Sequence, residues 1–258
     1  MGSAAAKIRH SSGRARPHRS TRLLPMRPVA IFRFSSTEGP GHFGEWLDAH
    51  GIPQRLFALD RGELVPAEAR AFAGIGMMGG PMSANDDLPW NAPLLGLVRD
   101  AISADVPVIG HCLGGQLLAK SLGAKVVRTA APEIGWGEVD VIDAALNPWF
   151  GHRDRFRTFQ WHYDTFGLPQ GAKRVLTNPF NPEQAFALGR HIGFQCHIEM
   201  TRPMVESWCA SAGNELPPQS TGAIQSKVDI FEDVDARLAT LSRVADDVYA
   251  HWARGLAH

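Results

Sequence analysis

The sequence predicts an α/β protein in which a parallel sheet carries helices on both faces and continues into an antiparallel annex. Three observations predict it. Through the first half, short continuous apolar runs alternate with segments of helical spacing, as in strands buried on both faces and their crossover helices. From Val126 to about Met200, short β-like runs stand among Gly and Pro turns. Towards the end, apolar residues step by three or four.

Val29-Ala30-Ile31-Phe32 reads as the first strand. After Gly39-Pro40-Gly41, a helix through Phe43, Trp46 and Leu47 stops at Gly51 and Pro53. Leu56–Leu59 reads as the second strand, and 73–78 as the third, closed by Gly79-Gly80-Pro81. Leu94, Leu97, Val98, Ala101 and Ile102 form one buried helical face. Val106–Gly110 is the fourth strand, and a helix from Leu113 to Leu122 ends at Gly123. The annex holds β-like runs at Glu138–Ile142, Arg174–Leu176, Ala185–Leu188 and Gly193–Cys196. Val228, Phe231, Val234, Leu238, Leu241, Ala245, Val248 and Trp252 make the terminal helical stripe, packed on the body.

The 258 residues suit one large domain or two small ones. Apolar residues make up 44% and charged residues 20%, the balance of a soluble globular protein. No apolar run is long enough for a transmembrane helix, so no membrane role is expected. Three cysteines cannot build a disulfide framework, and a reducing, cytoplasmic setting fits them. Residues 1–25 hold Lys7, Arg9, Arg14, Arg16, Arg19 and Arg22 and no acid. That segment reads as a disordered basic extension, ahead of a single domain over 26–258 with C-terminal helices. The remainder, with 20 basic against 26 acidic residues, repels phosphate, so no nucleic-acid partner is expected.

The chemistry gathers around one cysteine. In Val108-Ile109-Gly110-His111-Cys112-Leu113-Gly114-Gly115-Gln116, a buried strand runs through a glycine into a Cys, then Gly-Gly and a helix. This follows the logic of a nucleophile elbow, with Cys in the place of Ser. At a helix N-terminus the thiolate is favoured by free N–H groups and the dipole. The N–H of Leu113 then points towards any oxyanion formed on a carbonyl attacked by Cys112. Such a nucleophile needs a base and an orienter. His197 and Glu199, two apart in an extended stretch, point to one side and supply them. Gly79-Gly80-Pro81 offers a second set of main-chain oxyanion donors. A zinc site from His111, Cys112, Cys196 and His197 matches no usual ligand spacing, so no metal is expected.

In this order the three strings resemble the class I glutamine amidotransferases of the triad type, over about residues 28–210. Gly110, Cys112, Gly114 and Gln116 match the family's Gly-x-Cys-x-Gly-x-Gln elbow. Gly79-Gly80-Pro81 matches its oxyanion strand, and His197 and Glu199 match its His-x-Glu. The strings at 79–86, 133–136 and 160–166 look like the stand-alone, GMP-synthase-like branch. The resemblance implies a flavodoxin-like three-layer sandwich and an enzyme that hydrolyses the glutamine side-chain amide to glutamate and ammonia. It implies Cys112, His197 and Glu199 as catalytic residues, and Gly80 and Leu113 as the oxyanion hole. Gly79, Gln116, Trp161, His162 and Asp164 would line the substrate site. No cofactor is implied. Ile198 stands where the family usually has Pro, which predicts a looser His–Glu geometry. Cys196 stands where an aromatic is usual.

No synthetase domain or phosphate loop follows Met200, so the ammonia would go to a separate synthetase subunit. Two other readings stay open. One is a γ-glutamyl hydrolase or peptidase using the same trio on a γ-glutamyl compound. The other is a non-catalytic binding protein with the same fold.

Overall fold

The computed structural model describes residues 1–2, 26–142, 148–213 and 215–256. Most of the expected basic extension, residues 3–25, lies outside the described residues.

The apolar runs pair into one sheet of nine strands. They are β1 (Val29–Arg33), β2 (Gln54–Ala58), β3 (Gly74–Met77), β4 (Val108–His111), β5 (Val126–Val141), β6 (Arg155–Phe166), β7 (Lys173–Thr177), β8 (Ala185–Leu188) and β9 (His191–Phe194). Their spatial order is β2-β1-β3-β4-β9-β8-β7-β5-β6. From β2 through β9 every pairing is parallel, and from β9 out to β6 every pairing is antiparallel. The annex is therefore a continuation of the same sheet. It is also more extensive than the short runs suggest, because β5 spans 16 residues and β6 spans 12.

Among the described residues, six α-helices cover the sheet: α1 (Gly41–Ala49), α2 (Asn91–Ser103), α3 (Leu113–Ser121), α4 (Arg202–Ser211), α5 (Lys227–Phe231) and α6 (Val234–Ala253). The strand pleat divides the core into two layers. Val29 and Ile31 of β1 face Phe43 and Leu47 of α1 and Leu241, Val244 and Val248 of α6. Ala30 and Phe32 face Leu94 and Leu97 of α2 and Leu117 of α3. Each of the larger side chains among them contributes about 1.5–3 kcal/mol on full burial. The expected terminal stripe is two helices. Asp233 takes a left-handed conformation (φ 49°) between them, and Val228 points to solvent, 77% exposed.

Helix α3 approaches the sheet at backbone contact. A Cβ on Gly114 would lie 2.2 Å from the Met77 carbonyl oxygen, and one on Gly115 would lie 2.2 Å from that of Phe194. Main chain cannot move aside as a flexible side chain does. Gly115→Ala is therefore expected to lower stability by about 1–3 kcal/mol or more. Gly96→Ala, in the interior of α2 with open space around the new methyl, is expected to raise it by about 0.5–1 kcal/mol. Urea denaturation of the two variants checks the contrast.

Candidate active site

The carboxyl ends of β1, β3, β4 and β9 converge on one cavity of about 470 Å³. This is where ligands bind in open α/β sheets. Each strand end delivers one piece of it. After β4, Cys112 is the hinge into α3 and sits at φ 49°, ψ −107°. Non-glycine residues rarely adopt this region, and holding one there costs of order 1–3 kcal/mol. The turn points the side chain into the cavity, where Cys112 is among the lining residues and 6% exposed. Its Sγ accepts a hydrogen bond from Gln195 Nε2 at 3.6 Å and lies 3.9 Å from the Trp161 carbonyl oxygen.

After β9, side chains alternate. Gln195 faces Cys112, while Cys196 and Ile198 turn into the core. His197 is fixed by a two-way main-chain bridge to Phe159 on β6, and Thr158 Oγ1 donates to its carbonyl at 2.8 Å. His197 Nδ1 and Glu199 Oε1 are 2.6 Å apart, and both side chains are buried. Ile198 thus does not loosen the pair, because its side chain is held in the core. Packing does here what a proline ring would do.

Electrostatics separate the roles. Burial alone pulls His197 down, but Glu199 and Cys112 outweigh it and raise its pKa well above the usual value. Nε2 makes no hydrogen bond with any described residue, and the charge of the Cys112 sulfur acts on the ring as a whole. Burial pushes Glu199 up, but His197 and then His111 pull it down, to about 2. The pair is thus an imidazolium held against a carboxylate. His111 is fully buried, and burial, opposed by Glu199, lowers its pKa, which leaves it neutral at pH 7.

The remaining residues singled out from sequence fall into two groups. Gly80, Leu113, Gln116, Trp161, His162 and Asp164 line the cavity with Cys112. Leu113 opens α3, so its N–H has no intrahelical acceptor. The Gly80 N–H likewise has no main-chain acceptor among the described residues. Gly79 is not part of the lining and packs behind it, against Glu38 and His197. Some of the lining groups already have partners. Gln116 Nε2 donates to Gln195 Oε1 at 3.2 Å and to the Asp164 carbonyl at 3.3 Å. His162 sets Nε2 3.3 Å from Glu133 Oε1 and Nδ1 3.2 Å from the Asp164 carbonyl. Trp161 Nε1 donates to Glu215 at 3.3 Å. Asp164 keeps a carboxylate towards the cavity, where Ser83 Oγ donates to Oδ2 at 2.8 Å and Arg128 Nη1 lies 3.6 Å from Oδ1.

Sequence reasoning missed Glu38, Arg128, Gln195 and Glu215. Glu38 had a readable signal, an acid in the Gly-Pro-rich loop after the first strand. Arg128 and Glu215 had none, since only the β5–β6 register and the segment after α4 bring them to the cavity. Among the described residues, no group of three or more His, Cys, Asp or Glu is placed to hold a metal ion. Likewise, no helix among them is long and apolar enough to cross a membrane.

The class-I glutamine amidotransferase model matches residues 55–204, which include the Cys112 turn, Gly79-Gly80-Pro81 and the His–Glu string. The chain belongs to the class-I glutamine amidotransferase family. A glutamine amidotransferase of Methylobacillus flagellatus has the same fold, with a TM-score of 0.87 and 48% identity over 90% of this chain and 96% of that one. The glutamine amidotransferase-like protein YfeJ of Salmonella typhimurium is 31% identical over 70% of this chain and 79% of its own length. The GMP synthase (glutamine-hydrolyzing) of Aeropyrum pernix is 35% identical over 64% of this chain, and the matched part is 34% of that enzyme. This amidotransferase chain thus corresponds to about a third of such a synthase.

The amidotransferase geometry makes the three thiols unequal. Cys112 opens on the cavity beside a cationic imidazole. Burial pushes the Cys196 thiol far up and raises Cys209 to about 11. Limited treatment with iodoacetamide at pH 7 is expected to modify Cys112 and to spare Cys196 and Cys209, as read by peptide mass spectrometry.

Proposed function

We propose that this chain hydrolyses the side-chain amide of glutamine to glutamate and ammonia through Cys112, His197 and Glu199. One observation carries the reading. The Cys112 sulfur, held at a left-handed hinge on a helix N-terminus, opens on a cavity and interacts with an imidazole that is bonded at 2.6 Å to a buried carboxylate.

The steps follow from the positions. The Cys112 thiolate attacks the γ-carbonyl carbon. The carbonyl oxygen takes up negative charge and is held by the N–H groups of Leu113 and Gly80. The C–N bond breaks as His197 Nε2 gives its proton to the departing nitrogen. Ammonia leaves, and a γ-glutamyl thioester remains on Cys112. Water enters where ammonia left, His197 removes its proton, and attack on the thioester releases glutamate and restores the thiolate. Glu199 keeps the imidazole oriented and stabilises its cationic form.

Recognition of the amino-acid end falls to Asp164 and Arg128. Their opposite charges, 3.6 Å apart, suit the α-ammonium and α-carboxylate of one zwitterion. Gln116 and His162 act behind them. Both bond the Asp164 carbonyl and so set where that carboxylate sits. Trp161 contributes its main chain beside the sulfur.

The relatives that are whole GMP synthases favour delivery of the ammonia to a synthetase acceptor. A second reading has an observation in its favour. The cavity is of the size that takes drug-sized ligands, and its aromatic wall of Trp161, Tyr163 and Trp208 leaves room for a γ-glutamyl compound larger than glutamine.

Purified protein given glutamine is expected to release ammonia. Cys112→Ala is expected to abolish release without lowering the unfolding midpoint, and Cys196→Ala to keep most of it. Glu199→Gln is expected to cut kcat/KM about 10²–10⁴-fold, in line with loss of an orienting carboxylate. Equal loss from both cysteine variants would contradict the assignment of the nucleophile.

A further inference from the structure

Glu38 takes no part in the steps above, yet it lines the same cavity as Cys112. Its carboxyl lies over Gly79. A Cβ added to that glycine would sit 2.2 Å from Glu38 Oε2 and 3.1 Å from His197 Cε1. The carboxyl and the edge of the imidazole therefore meet above one Cα, and only the missing side chain of Gly79 makes room for both.

The loop that presents Glu38 is tied down on each side. Glu38 N donates to the Ser35 carbonyl at 3.1 Å, closing a turn. Trp208 Nε1, from α4, donates to the Thr37 carbonyl at 3.0 Å. His42 N, just past the loop, donates to the Glu199 carbonyl at 2.9 Å. The loop is thus anchored to the segment that holds the His–Glu pair. The carboxyl itself has no hydrogen-bond partner among the described residues. A half-buried carboxyl held in place without a partner is costly, and in a cavity that cost points to a ligand group that supplies one.

The geometry of attack says which group. An amide bound for attack by Cys112 has three directions to satisfy. Its oxygen goes to the N–H groups of Leu113 and Gly80, and its amino-acid end to Asp164 and Arg128. Its nitrogen must come within reach of His197 Nε2, because only there can it take a proton. Glu38 adjoins that imidazole. Burial, opposed by His197 and aided by Glu199, lifts its pKa to about 7, so the charged acceptor form is present at neutral pH.

Resting on the hydrolytic reading, we propose that Glu38 forms a leaving-group subsite. Its carboxylate accepts a hydrogen bond from an N–H of the scissile nitrogen and holds that nitrogen towards His197. The ligand class is then γ-glutamyl amides that carry hydrogen on the scissile nitrogen, in preference to esters. No proton passes to Glu38. His197 still supplies the one that leaves with the amine.

The test compares two substrates that share the γ-glutamyl group and differ in the leaving group, glutamine and a γ-glutamyl aryl ester. The ester has no N–H for Glu38 and no need of a strong acid for its leaving group. kcat/KM is measured for both, with wild type, Glu38→Ala and Glu38→Gln. Glu38→Ala is expected to lose roughly 10-fold to 100-fold on glutamine and to stay within about 3-fold on the ester, the span of one charge-assisted hydrogen bond. Glu38→Gln keeps an acceptor oxygen without charge and is expected to fall between. Equal losses on both substrates would overturn the proposal in favour of a structural role or a general effect on His197. Full retention on glutamine would overturn it too. A wild type that turns over neither substrate would sink the hydrolytic reading, and this inference with it.

Discussion

The approach of α3 to the sheet at backbone contact is the constraint on which the site rests. Gly114 lies on the Met77 carbonyl, Gly115 lies on the Phe194 carbonyl, and the Gly114 N–H donates to the Met78 carbonyl at 3.0 Å. With the helix pressed this close to β3 and β9, the chain leaving β4 has one residue in which to turn. That residue is Cys112, and its positive φ is the consequence. The same contact places the first turn of α3 beside the Gly79-Gly80 corner after β3 and beside Gln195 after β9. One packing decision thus aims the sulfur, exposes the Leu113 N–H and brings the imidazole segment alongside. The strain at Cys112 persists because the glycines on either side leave no relaxed alternative.

The second organising feature is charge kept out of water. His197 and Glu199 are both buried, and Glu199 Oε2 has no hydrogen-bond partner. A buried ion pair contributes little to stability on balance, because desolvation offsets attraction. What this one provides is a fixed, cationic imidazole beside a thiol. Its linkage to pH follows from the two directions. Glu199, depressed in the fold, favours folding above its ordinary carboxylate range, and that contribution fades as pH falls towards 2. His197, raised in the fold, favours folding below its ordinary range, and that contribution fades as pH rises through its folded value. The pair therefore holds best across the neutral range in which the thiol must act.

The parallel half of the fold is legible because β1, β3, β4 and β9 are buried on both faces and read as short apolar runs, whereas the edge strand β2 is partly exposed. The annex is less legible. β5 carries Pro132, Gly135 and Gly137, and its register with β6 shifts between Arg128 and Glu133, so a 16-residue strand reads as turns and fragments. Helix α4 is short, with Thr201 at its N-cap, Pro203 in its first turn and a buried stripe of Met204, Val205, Trp208 and Cys209. At the site, Cys112, His197 and Glu199 announce themselves through local spacing. Arg128 does not, because its meaning lies in a neighbour far along the chain, Asp164 on the paired strand. The ring of His162 shows the converse. It sits in a recognisable string, yet its Nδ1 is bonded to a main-chain carbonyl and its Nε2 lies buried 3.3 Å from Glu133.

The central claim is that the sulfur of Cys112 becomes covalently linked to the γ-carbonyl carbon of the substrate. Acid quenching milliseconds to seconds after mixing with glutamine, followed by peptide mass spectrometry, tests it most directly. The account predicts a γ-glutamyl group on the peptide that contains Cys112 and on no other. A γ-glutamyl group on the Cys196 or Cys209 peptide, or glutamate release with no acylated peptide at any quench time, would contradict it.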